Sequence, residues 1–422
     1  MKKNKSTRRD FLKGAASAAT GAALTPYVIT SAALGNSAKA PASERVALGH
    51  IGVGSKGSGL MQDFSGLKNG QTVAVCDPFT DRREKQASLV KGCTAYADFR
   101  ELLTRDDIDA VIVATTDHWH VPAAIAAARA GKDMYVEKPL GLSIEHNKAM
   151  REAVHRYGSI FQYGTQQRSF RGHCSFACEM VRNGRLGEIK EIRVTAPGGE
   201  TGGSTVPIPL PKGFDYDMWL GSAPKSPYTK DRCTSFGSWF VYANSVGFLG
   251  GWGAHPLDIM HWGYPHIPVE YEGTGVIPTE GLYDTVVKWN IHGRFANGVK
   301  FSFTDAHGDN TTFVGTEGWI RASRGSISAE PKSLLSATIK PGEIHLRQSH
   351  NHYQNFLDAV QTRSQPTSDI DSAVQSDFIS HLSDIAVRVG RKIKWDPIKE
   401  EIIGDEVASR MASRPMRSPW RL

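Results

Sequence analysis

Lys138 is the residue whose type and position point most directly to chemistry. An apolar run at 134–136 leads into Glu137 and Lys138. Because Pro139 disfavours helical backbone at the residue before it, we expect the amine to lie at the end of a strand. A free lysine titrates near ~10.4, so acid–base work at neutral pH requires its pKa to fall by about 3, or roughly 4 kcal/mol. Burial beside a second positive charge, such as an oxidised nicotinamide ring, lowers a lysine pKa in this way. The alternative is a solvated surface lysine.

A second group of titratable residues recurs at three-residue spacing further along the chain. On a helix, His255, Asp258 and His261 would lie roughly along one face. A metal site is conceivable there, but ligands spaced by three drift around the helix axis. We therefore predict no metal and interpret His261 as a structural histidine. Cys174 and Cys178 are predicted to be packing residues, since two thiols without other spaced ligands rarely bind metal.

A glycine-rich turn upstream offers a place for a dinucleotide. An apolar run at 46–51 is followed by Gly-x-Gly-x-x-Gly at 52–57 and by a predicted helix that reaches residue 67. Such glycines permit a tight turn and let backbone amides approach a pyrophosphate at a helix N-terminus. A second strand, 72–76, ends in Asp77, whose carboxylate would bind the adenosine ribose hydroxyls and repel a 2'-phosphate. NAD is therefore favoured over NADP; glycines that serve only packing are the alternative.

Strands and helices continue to alternate as far as residue 163. The further elements predicted here are strands at 110–114, 134–136 and 160–163 and helices at 99–103, 122–130 and 145–157. With 160–163 interpreted as the sixth strand, strands joined by crossover helices make a doubly wound parallel sheet, which binds ligands outside the carboxyl ends of its strands. The residues expected on that rim are Gly52, Asp77, Thr115 and Lys138.

The chain beyond residue 163 is predicted to form a second, α+β domain with a mixed or antiparallel open sheet. Its predicted strands are 191–195, 285–291, 299–304 and 312–314, with helices at 350–361 and 372–389. Gln166 and Arg168 follow the last strand of the first sheet and are within reach of its ligand edge. Polar hinge residues are an equally good interpretation.

A long loop at 196–250 is rich in glycine, proline and aromatic residues. Loops of this length inside compact proteins usually have a function. Flat aromatic faces suit stacking on pyranose rings, although core or subunit packing explains them equally well. The aromatic residues in question are Trp219, Trp239, Phe240 and Tyr242.

The N-terminus has the order of features found in a twin-arginine export signal. Arg8-Arg9 precedes a small, weakly apolar run, and Ala38-Lys39-Ala40 is a small-x-small cleavage pattern. Seven of the 50 basic residues lie in 1–40 against one of the 43 acidic residues, so the remainder is nearly neutral. Nucleic-acid binding therefore has no support. The four arginines of the last thirteen residues are expected to form a solvated arm or a subunit contact.

Several of these stretches together resemble the glucose-fructose oxidoreductase, inositol dehydrogenase and MocA family. The matching stretches are Gly52 to Gly57, Asp77, Thr115-Thr116-Asp117-x-x-His120, Glu137-Lys138-Pro139 and Phe313-Val314-Gly315-Thr316-Glu317-Gly318. The resemblance covers about 46 to 395. It implies a Rossmann domain that binds NAD or NADP, and a second domain that faces the nicotinamide and often forms dimers or tetramers.

The resemblance also implies roles for individual residues. Hydride would be transferred at a sugar or cyclitol carbinol, with Lys138 moving the hydroxyl proton and His255 as the second catalytic residue. The residues expected to contact substrate are Arg168, Trp252, His255 and Asp258. Those expected to bind cofactor are Gly52, Val53, Gly54, Ser55, Lys56, Gly57, Asp77, Thr115, Asp117, His120, Glu137, Lys138 and Gln166. The family has an aspartate where this chain has Gly251, which argues against a simple inositol-type dehydrogenase.

Export and chemistry together define the expected function. Free NAD is scarce outside the cytoplasm, so we expect an exported, periplasmic oxidoreductase that keeps NAD(H) tightly bound and acts on a carbohydrate. One alternative resembles NAD-dependent glycosidases, which oxidise C3 transiently, eliminate the aglycone and restore NAD. A sugar-binding protein without activity is a third possibility. The expected organisation is a signal at 1–40, a cofactor domain at 41–163, a substrate and oligomerisation domain at 164–365, a helix returning to the first domain at 366–395 and a tail of unknown role at 396–422.

Overall fold

The computed structural model describes residues 34–36, 39–169 and 172–422. Most of the predicted export signal, 1–40, therefore lies outside the described residues. The chain divides into two compact units, 1–45 and 46–422. The described part of the first unit contains a short 3-10 turn at Ala42–Glu44; the second unit contains both sheets.

The first sheet has six parallel strands in the order β3-β2-β1-β4-β5-β6, which confirms the predicted doubly wound sheet. Its strands are β1 Val46–Ile51, β2 Gly70–Cys76, β3 Thr94–Tyr96, β4 Ala110–Val113, β5 Asp133–Val136 and β6 Phe161–Tyr163. Its helices are α1 Ser55–Gly66, α2 Thr80–Ser88, α3 Phe99–Leu103, α4 Asp117–Arg129 and α5 Ile144–Tyr157. Every residue of β4 and β5 is buried, as expected for strands covered on both faces.

Helix α4 begins five residues before the predicted start at Pro122. Proline is common at the first helical position, which favoured the later start. In the structure the first turn is stabilised from elsewhere in the chain, because the N–H of His118 donates to the carbonyl of Asn244 at 3.1 Å. The prediction of a helix beginning at Pro122 was wrong because a tertiary contact caps an earlier turn.

The second sheet is mixed and has nine strands in the order β13-β12-β11-β7-β10-β9-β8-β14-β15. Its strands are β7 Ile189–Ala196, β8 Glu270–Val276, β9 Lys288–Arg294, β10 Lys300–Asp305, β11 Asn310–Gly315, β12 Gly318–Ala322, β13 Ile327–Glu330, β14 Ile393–Asp396 and β15 Glu401–Ile403. Strand β9 starts three residues after the strand predicted at 285–291. Its inward residues are Trp289 and Ile291, and alternate residues are exposed.

Helices cover one face of this sheet and connect it to the first. They are α6 His173–Arg182, α7 Tyr216–Leu220, α8 Ser235–Phe240, α9 Gly247–Gly251, α10 Ala254–Gly263, α11 His352–Thr362, α12 Ile370–Val389 and α13 Glu406–Arg410. Helix α12 packs against both α5 and strand β8, and Asn147 donates to Asp377 on α12 at 2.7 Å. Helix α11 packs on α1 and β1 through Phe356 and Leu357. The two sheets are therefore joined by a shared core.

The C-terminal tail packs against other parts of the same chain. The ring of Trp420 lies 4.7 Å from that of Trp119, and Arg417 donates its backbone N–H to Ser222. The expectation of a solvated arm was therefore wrong. Within the described residues no helix is both long and apolar enough to cross a bilayer. All five cysteines are free thiols, and the Cys174 and Cys178 side chains are buried.

Candidate active site

The glycine turn is constrained by packing at two positions and open at the third. Gly52 has φ +85°, and a Cβ there would lie 2.7 Å from the carbonyl oxygen of Ala114. At Gly57 a Cβ would lie 1.9 Å from the oxygen of Gly52. A Cβ at Gly54 would meet only the Arg82 side chain, at 3.6 Å. The turn thus presents its middle glycine and the N-terminus of α1 to the cleft, the arrangement that accepts a pyrophosphate.

Asp77 ends β2 on the same rim and is buried. Its carboxylate accepts hydrogen bonds from the N–H groups of Val53 and Phe79, both at 3.0 Å. Burial raises the pKa of this carboxyl, while the Phe79 N–H and Arg82 oppose that shift. The Arg82 guanidinium lies 3.8 Å above the Phe79 ring. Asp77 is therefore tied to the glycine turn and fixed in orientation.

A cleft runs along the carboxyl ends of β1, β2 and β4. The space between its walls is about 1100 Å³ when the open solvent at its mouth is included. One wall includes Gly52, Gly54, Asp77 and Thr115, all predicted cofactor-binding residues. The other wall comes from 218–239, far along the chain. The residues of that wall are Met218, Trp219, Cys233, Thr234, Ser235, Ser238 and Trp239.

The pairing of β4 with β5 brings Lys138 to this rim. Val113 lies opposite Val136 in the parallel ladder, so Thr115 and Lys138, each two residues further on, leave the sheet side by side. The Lys138 amine donates to the carbonyl of Gly251 at 2.8 Å. Its Nζ lies 5.7 Å from the centre of the Trp252 ring and 6.0 Å from that of Trp239.

The surroundings of Lys138 lower the pKa of its amine. Burial lowers the pKa of the amine; Glu137 and Asp117 oppose this shift, whereas Lys56 and Arg324 add to it. The amine is thus held at a strand end beside two indoles, and its pKa is shifted in the direction that acid–base work at neutral pH requires.

Glu137 links the glycine turn to Lys138. Its buried carboxylate lies 3.4 Å from the Lys56 amine and accepts a hydrogen bond from Gln166 at 3.0 Å. Gln166 also donates to the hydroxyl of Tyr135 at 2.7 Å. These contacts fix Glu137 beside the cleft, with Lys56 as its exposed neighbour.

His255 lies on α10, close to the Lys138 group. It is 3% exposed, its ring lies 6.0 Å from that of Trp252, and its Nδ1 has no hydrogen-bond partner among the described residues. Burial lowers the pKa of His255 well below its usual value, and the Lys138 charge adds to the shift. A neutral imidazole of this kind can exchange a hydrogen bond, or a proton, with a bound hydroxyl.

Arg168 and Asp258 do not present free charges to the cleft. The Arg168 guanidinium donates to both Asp258 oxygens, at 2.7 and 2.5 Å, and the two residues are 3% and 0% exposed. Arg168 also donates to the carbonyl of Thr367 and the hydroxyl of Ser372. The two side chains therefore form a buried ion pair, and their contact with substrate stays a prediction.

Asp117 and His120 lie beneath the rim rather than in the cleft lining. Asp117 accepts a hydrogen bond from Ser245 at 2.6 Å, and the His120 Nδ1 donates to the carbonyl of Pro139 at 2.6 Å. Both side chains are buried. In the structure these two residues support the Lys138 turn from below.

His261 lies outside the cleft, whereas the aromatic residues of the 196–250 loop are divided between the cleft and the core. His261 lines a separate surface pocket with Arg182 and Arg347, and no cluster of His, Cys, Asp or Glu suited to a metal occurs in the part of the chain that the structure describes. Trp219 and Trp239 line the cleft. Phe240 is fully buried in the core.

Sequence reasoning missed several residues of the cleft. Trp119, Thr116, Ser235 and Ser238 line it, and Arg324 contributes to the lowered pKa of both Lys138 and His255. Trp119 lies three residues after Thr116, in the first turn of the helix that starts at the rim, so its position there could have been inferred. Ser235 and Ser238 carried no local signal, because they reach the cleft only through the tertiary fold.

Family models match most of the chain. An oxidoreductase-family NAD-binding Rossmann fold matches 46–165, and an oxidoreductase-family C-terminal alpha/beta domain matches 199–422. Curated relatives include glycosyl hydrolase family 109 protein 2 of Shewanella sp. strain ANA-3, 36% identical over 33% of this chain and 34% of that protein. The alpha-N-acetylgalactosaminidase of Shewanella oneidensis is 35% identical over 43% of this chain and 44% of its own. The chain thus spans less than half the length of these relatives.

Solved structures share the fold at low identity. The WlbA dehydrogenase of Chromobacterium violaceum, solved with NADH and UDP-GlcNAcA, has a TM-score of 0.65 and 14% identity, over 84% of this chain and 97% of that one. The aldose-aldose oxidoreductase of Caulobacter crescentus has a TM-score of 0.62 and 18% identity, over 83% and 99%. Together with both family models, the glycine turn and the Glu137-Lys138-Pro139 rim, these matches lead to one conclusion: the chain belongs to the Gfo/Idh/MocA family of NAD-binding oxidoreductases.

Proposed function

We propose that the protein holds NAD(H) tightly and exchanges hydride with a carbinol carbon of a carbohydrate, with Lys138 moving the hydroxyl proton. One observation carries this proposal. The Lys138 amine is held by the Gly251 carbonyl at 2.8 Å, on the rim where the glycine turn and Thr115 line the cleft. A lysine with a lowered pKa at that place suits proton transfer rather than a structural ion pair.

The cleft residues fit a dinucleotide. Gly54 leaves space for a pyrophosphate at the N-terminus of α1, and Asp77 is fixed where β2 ends. When bound, NAD supplies the hydride acceptor and NADH the donor. Asp77 would bind the adenosine ribose, and its negative charge disfavours the 2'-phosphate of NADP.

The proton step belongs to Lys138 and His255. A neutral amine at residue 138 accepts the hydroxyl proton of an alcohol during oxidation and returns it during reduction. His255, whose pKa is lowered by burial and by the positive charge that Lys138 carries when protonated, can hold the same or the neighbouring hydroxyl through a hydrogen bond. The proposal thus assigns two proton-accepting groups to one substrate position.

The aromatic surroundings of Lys138 suit a sugar. The Trp239 and Trp252 rings lie 6.0 and 5.7 Å from the amine, and flat apolar faces of this kind stack on the C–H face of a pyranose. The names of similar proteins also support a carbohydrate, since one is an alpha-N-acetylgalactosaminidase and another was solved with UDP-GlcNAcA.

A second candidate is cleavage of a glycoside without net oxidation. The family 109 glycosyl hydrolase relatives favour it. Lys138 and His255 could serve it as well, because removal of the proton at C2 requires a base besides the one that takes the hydroxyl proton. Substrate oxidation and glycoside cleavage differ in their products rather than in their residues.

We also propose that the protein is exported by the twin-arginine route, on the motif at Arg8-Arg9. Folding before export would let the chain load its cofactor in the cytoplasm. A homodimer or homotetramer is the assembly that the family resemblance implies, and it stays a prediction.

The test is to denature the purified, matured protein and identify the released dinucleotide by mass spectrometry. The loaded protein is then given free sugars and aryl glycosides, including an N-acetylgalactosaminide. An accumulating keto-sugar or alditol supports the oxidoreductase, and a free sugar with no net redox change supports the glycosidase. Protein that is empty and takes up neither NAD nor NADP would refute both.

A further inference from the structure

The second wall of the cofactor cleft is attached to the first at its beginning and again at helix α7. The rings of Phe79 and Phe214 stack at 3.8 Å, the N–H of Thr80 donates to the Gly213 carbonyl at 2.8 Å, and that of Asp215 donates to Pro78 at 3.0 Å. These attachments lie at the start of the wall segment, 213–239, and the His118 ring donates to the Trp219 carbonyl further along it, at 2.9 Å. Movement of this segment away from the glycine turn would widen the cleft.

The C-terminal tail binds this wall through hydrogen bonds from Arg417. Its backbone N–H donates to Ser222 at 2.8 Å. Its guanidinium donates to the Gly221 carbonyl at 2.9 Å, and to the Asp217 carboxylate and carbonyl at 2.7 and 3.0 Å. Further back, the Arg414 guanidinium lies 3.6 Å above the Tyr242 ring. Arg417 therefore binds the C-terminal end of helix α7, whose Met218 and Trp219 line the cleft.

The same tail is anchored on the first sheet. The carbonyl of Ala412 accepts a hydrogen bond from the N–H of Glu145 at 3.0 Å. The Trp420 ring packs edge-on against Trp119 at 4.7 Å, with the Arg100 guanidinium 5.1 Å from it. Trp119 itself lines the cleft, and its Nε1 donates to the Met218 carbonyl at 3.0 Å. The tail thus spans from one wall of the cleft to the other.

We propose that residues 412–420 are a strap that holds the cofactor cleft closed, so that Arg417 and Trp420 set how slowly NAD(H) dissociates. This inference rests on the proposed function, which requires a dinucleotide in the cleft. Arg417 and Trp420 are positioning residues: they act through helix α7 and Trp119. The strap supplies a physical reason for retention of a cofactor by a protein that acts where free NAD is scarce.

The test measures release of NADH from full-length, loaded protein. Trp119, Trp219 and Trp239 line the cleft, so energy transfer from tryptophan to NADH reports occupancy. Loaded protein is mixed with excess NAD and the decay is followed. We expect Arg417→Ala and Trp420→Ala to release NADH at least tenfold faster than wild type. Activity per loaded site should be unchanged when NAD is saturating, and Trp420→Phe should restore slow release.

Arg421→Ala is the matched control. Arg421 belongs to the same tail but makes no hydrogen bond or ion pair within the described residues, so its release rate should equal that of wild type. If Arg417→Ala does not fold, Arg417→Lys, which keeps the charge but loses the planar fork, provides the same comparison. Unchanged release from these variants would overturn the strap alone. A wild-type protein that never takes up NADH would overturn the proposed function, and the strap with it.

Discussion

The amine at residue 138 has a counterpart at the opposite end of the same strand. Lys132, just before β5, also donates to a backbone carbonyl, that of Arg105, at 2.7 Å; its side chain is buried, whereas that of Lys138 is half-buried. We expect Lys138→Met to lower kcat by about 10²–10⁴, the usual contribution of a general acid–base group, with NAD still bound. Lys132→Met should keep wild-type activity. Turnover of loaded protein is the measurement, and equal activity in the two variants would contradict the role of Lys138.

Gly251 provides a test of the lowered Lys138 pKa. A Cβ at Gly251 meets nothing within 4 Å among the described atoms, so a side chain can be added there. In Gly251→Asp a carboxylate beside the amine should favour its charged form and raise the Lys138 pKa by roughly 1. Because oxidation needs the neutral amine, the rising limb of kcat/KM against pH should move to higher pH. In Gly251→Asn the new side chain has nearly the same shape but no charge. If kcat/KM has the same pH dependence in both variants, the proposed effect of charge on the Lys138 pKa is wrong.

The place of a residue at a strand end or turn was easier to predict than the side chain with which it pairs. Lys138 and the glycine turn could be assigned from short-range patterns, because a strand end followed by proline and a Gly-x-Gly-x-x-Gly turn each have a local cause. Arg168 was assigned to substrate because it follows a strand on the ligand rim. Its actual partner, Asp258, lies ninety residues away, and no local pattern indicates a pair of that separation.

At the scale of elements, the Arg168–Asp258 pair joins the segment after β6 to helix α10. Arg168→Met would leave Asp258 as an unpaired buried carboxylate, which costs about 3–5 kcal/mol. The free energy of urea unfolding measures this loss. Arg193→Met is the control, because the Arg193–Glu191 pair is exposed and should be worth less than about 1 kcal/mol.

The double variant Arg168→Met, Asp258→Leu should recover much of the lost stability, since it removes the buried charge as well. Another outcome would instead support the predicted contact of Arg168 with substrate. If Arg168→Met kept wild-type stability but lost activity, then Arg168 would contact substrate rather than hold α10 in place.

The elements themselves were predicted unevenly. Buried central strands such as β4 and β5 are short apolar runs bounded by turns, so their positions followed from composition. The segment 196–250 was predicted only as a long loop, yet it contains three short helices and supplies one wall of the cleft. These helices are five or six residues long and depend on side-chain caps such as Asp215 and Thr234, so they have little hydrophobic periodicity to detect.

For the whole molecule, the dinucleotide cleft draws its walls from distant parts of one compact unit, 46–422. A ligand that bridges such walls binds only the folded state, so it must stabilise the entire unit. The two sheets could be predicted from strand patterns, but their shared core could not. It depends on long-range contacts such as the one between Asn147 and Asp377.

The preference for NAD over NADP should therefore be measurable as a difference in the free energy of unfolding. We expect stripped protein to unfold at lower urea than loaded protein, and NAD at a hundredfold excess over its Kd to add about 2.7 kcal/mol. NADP at the same concentration should add less, because the Asp77 carboxylate repels a 2'-phosphate. Asp77→Asn keeps a side-chain oxygen for the Val53 N–H but removes the charge, so it should narrow the gap between NAD and NADP. Equal stabilisation of wild type by both dinucleotides would contradict the assignment of Asp77, while equal stabilisation only in Asp77→Asn would identify its charge as the source of selectivity.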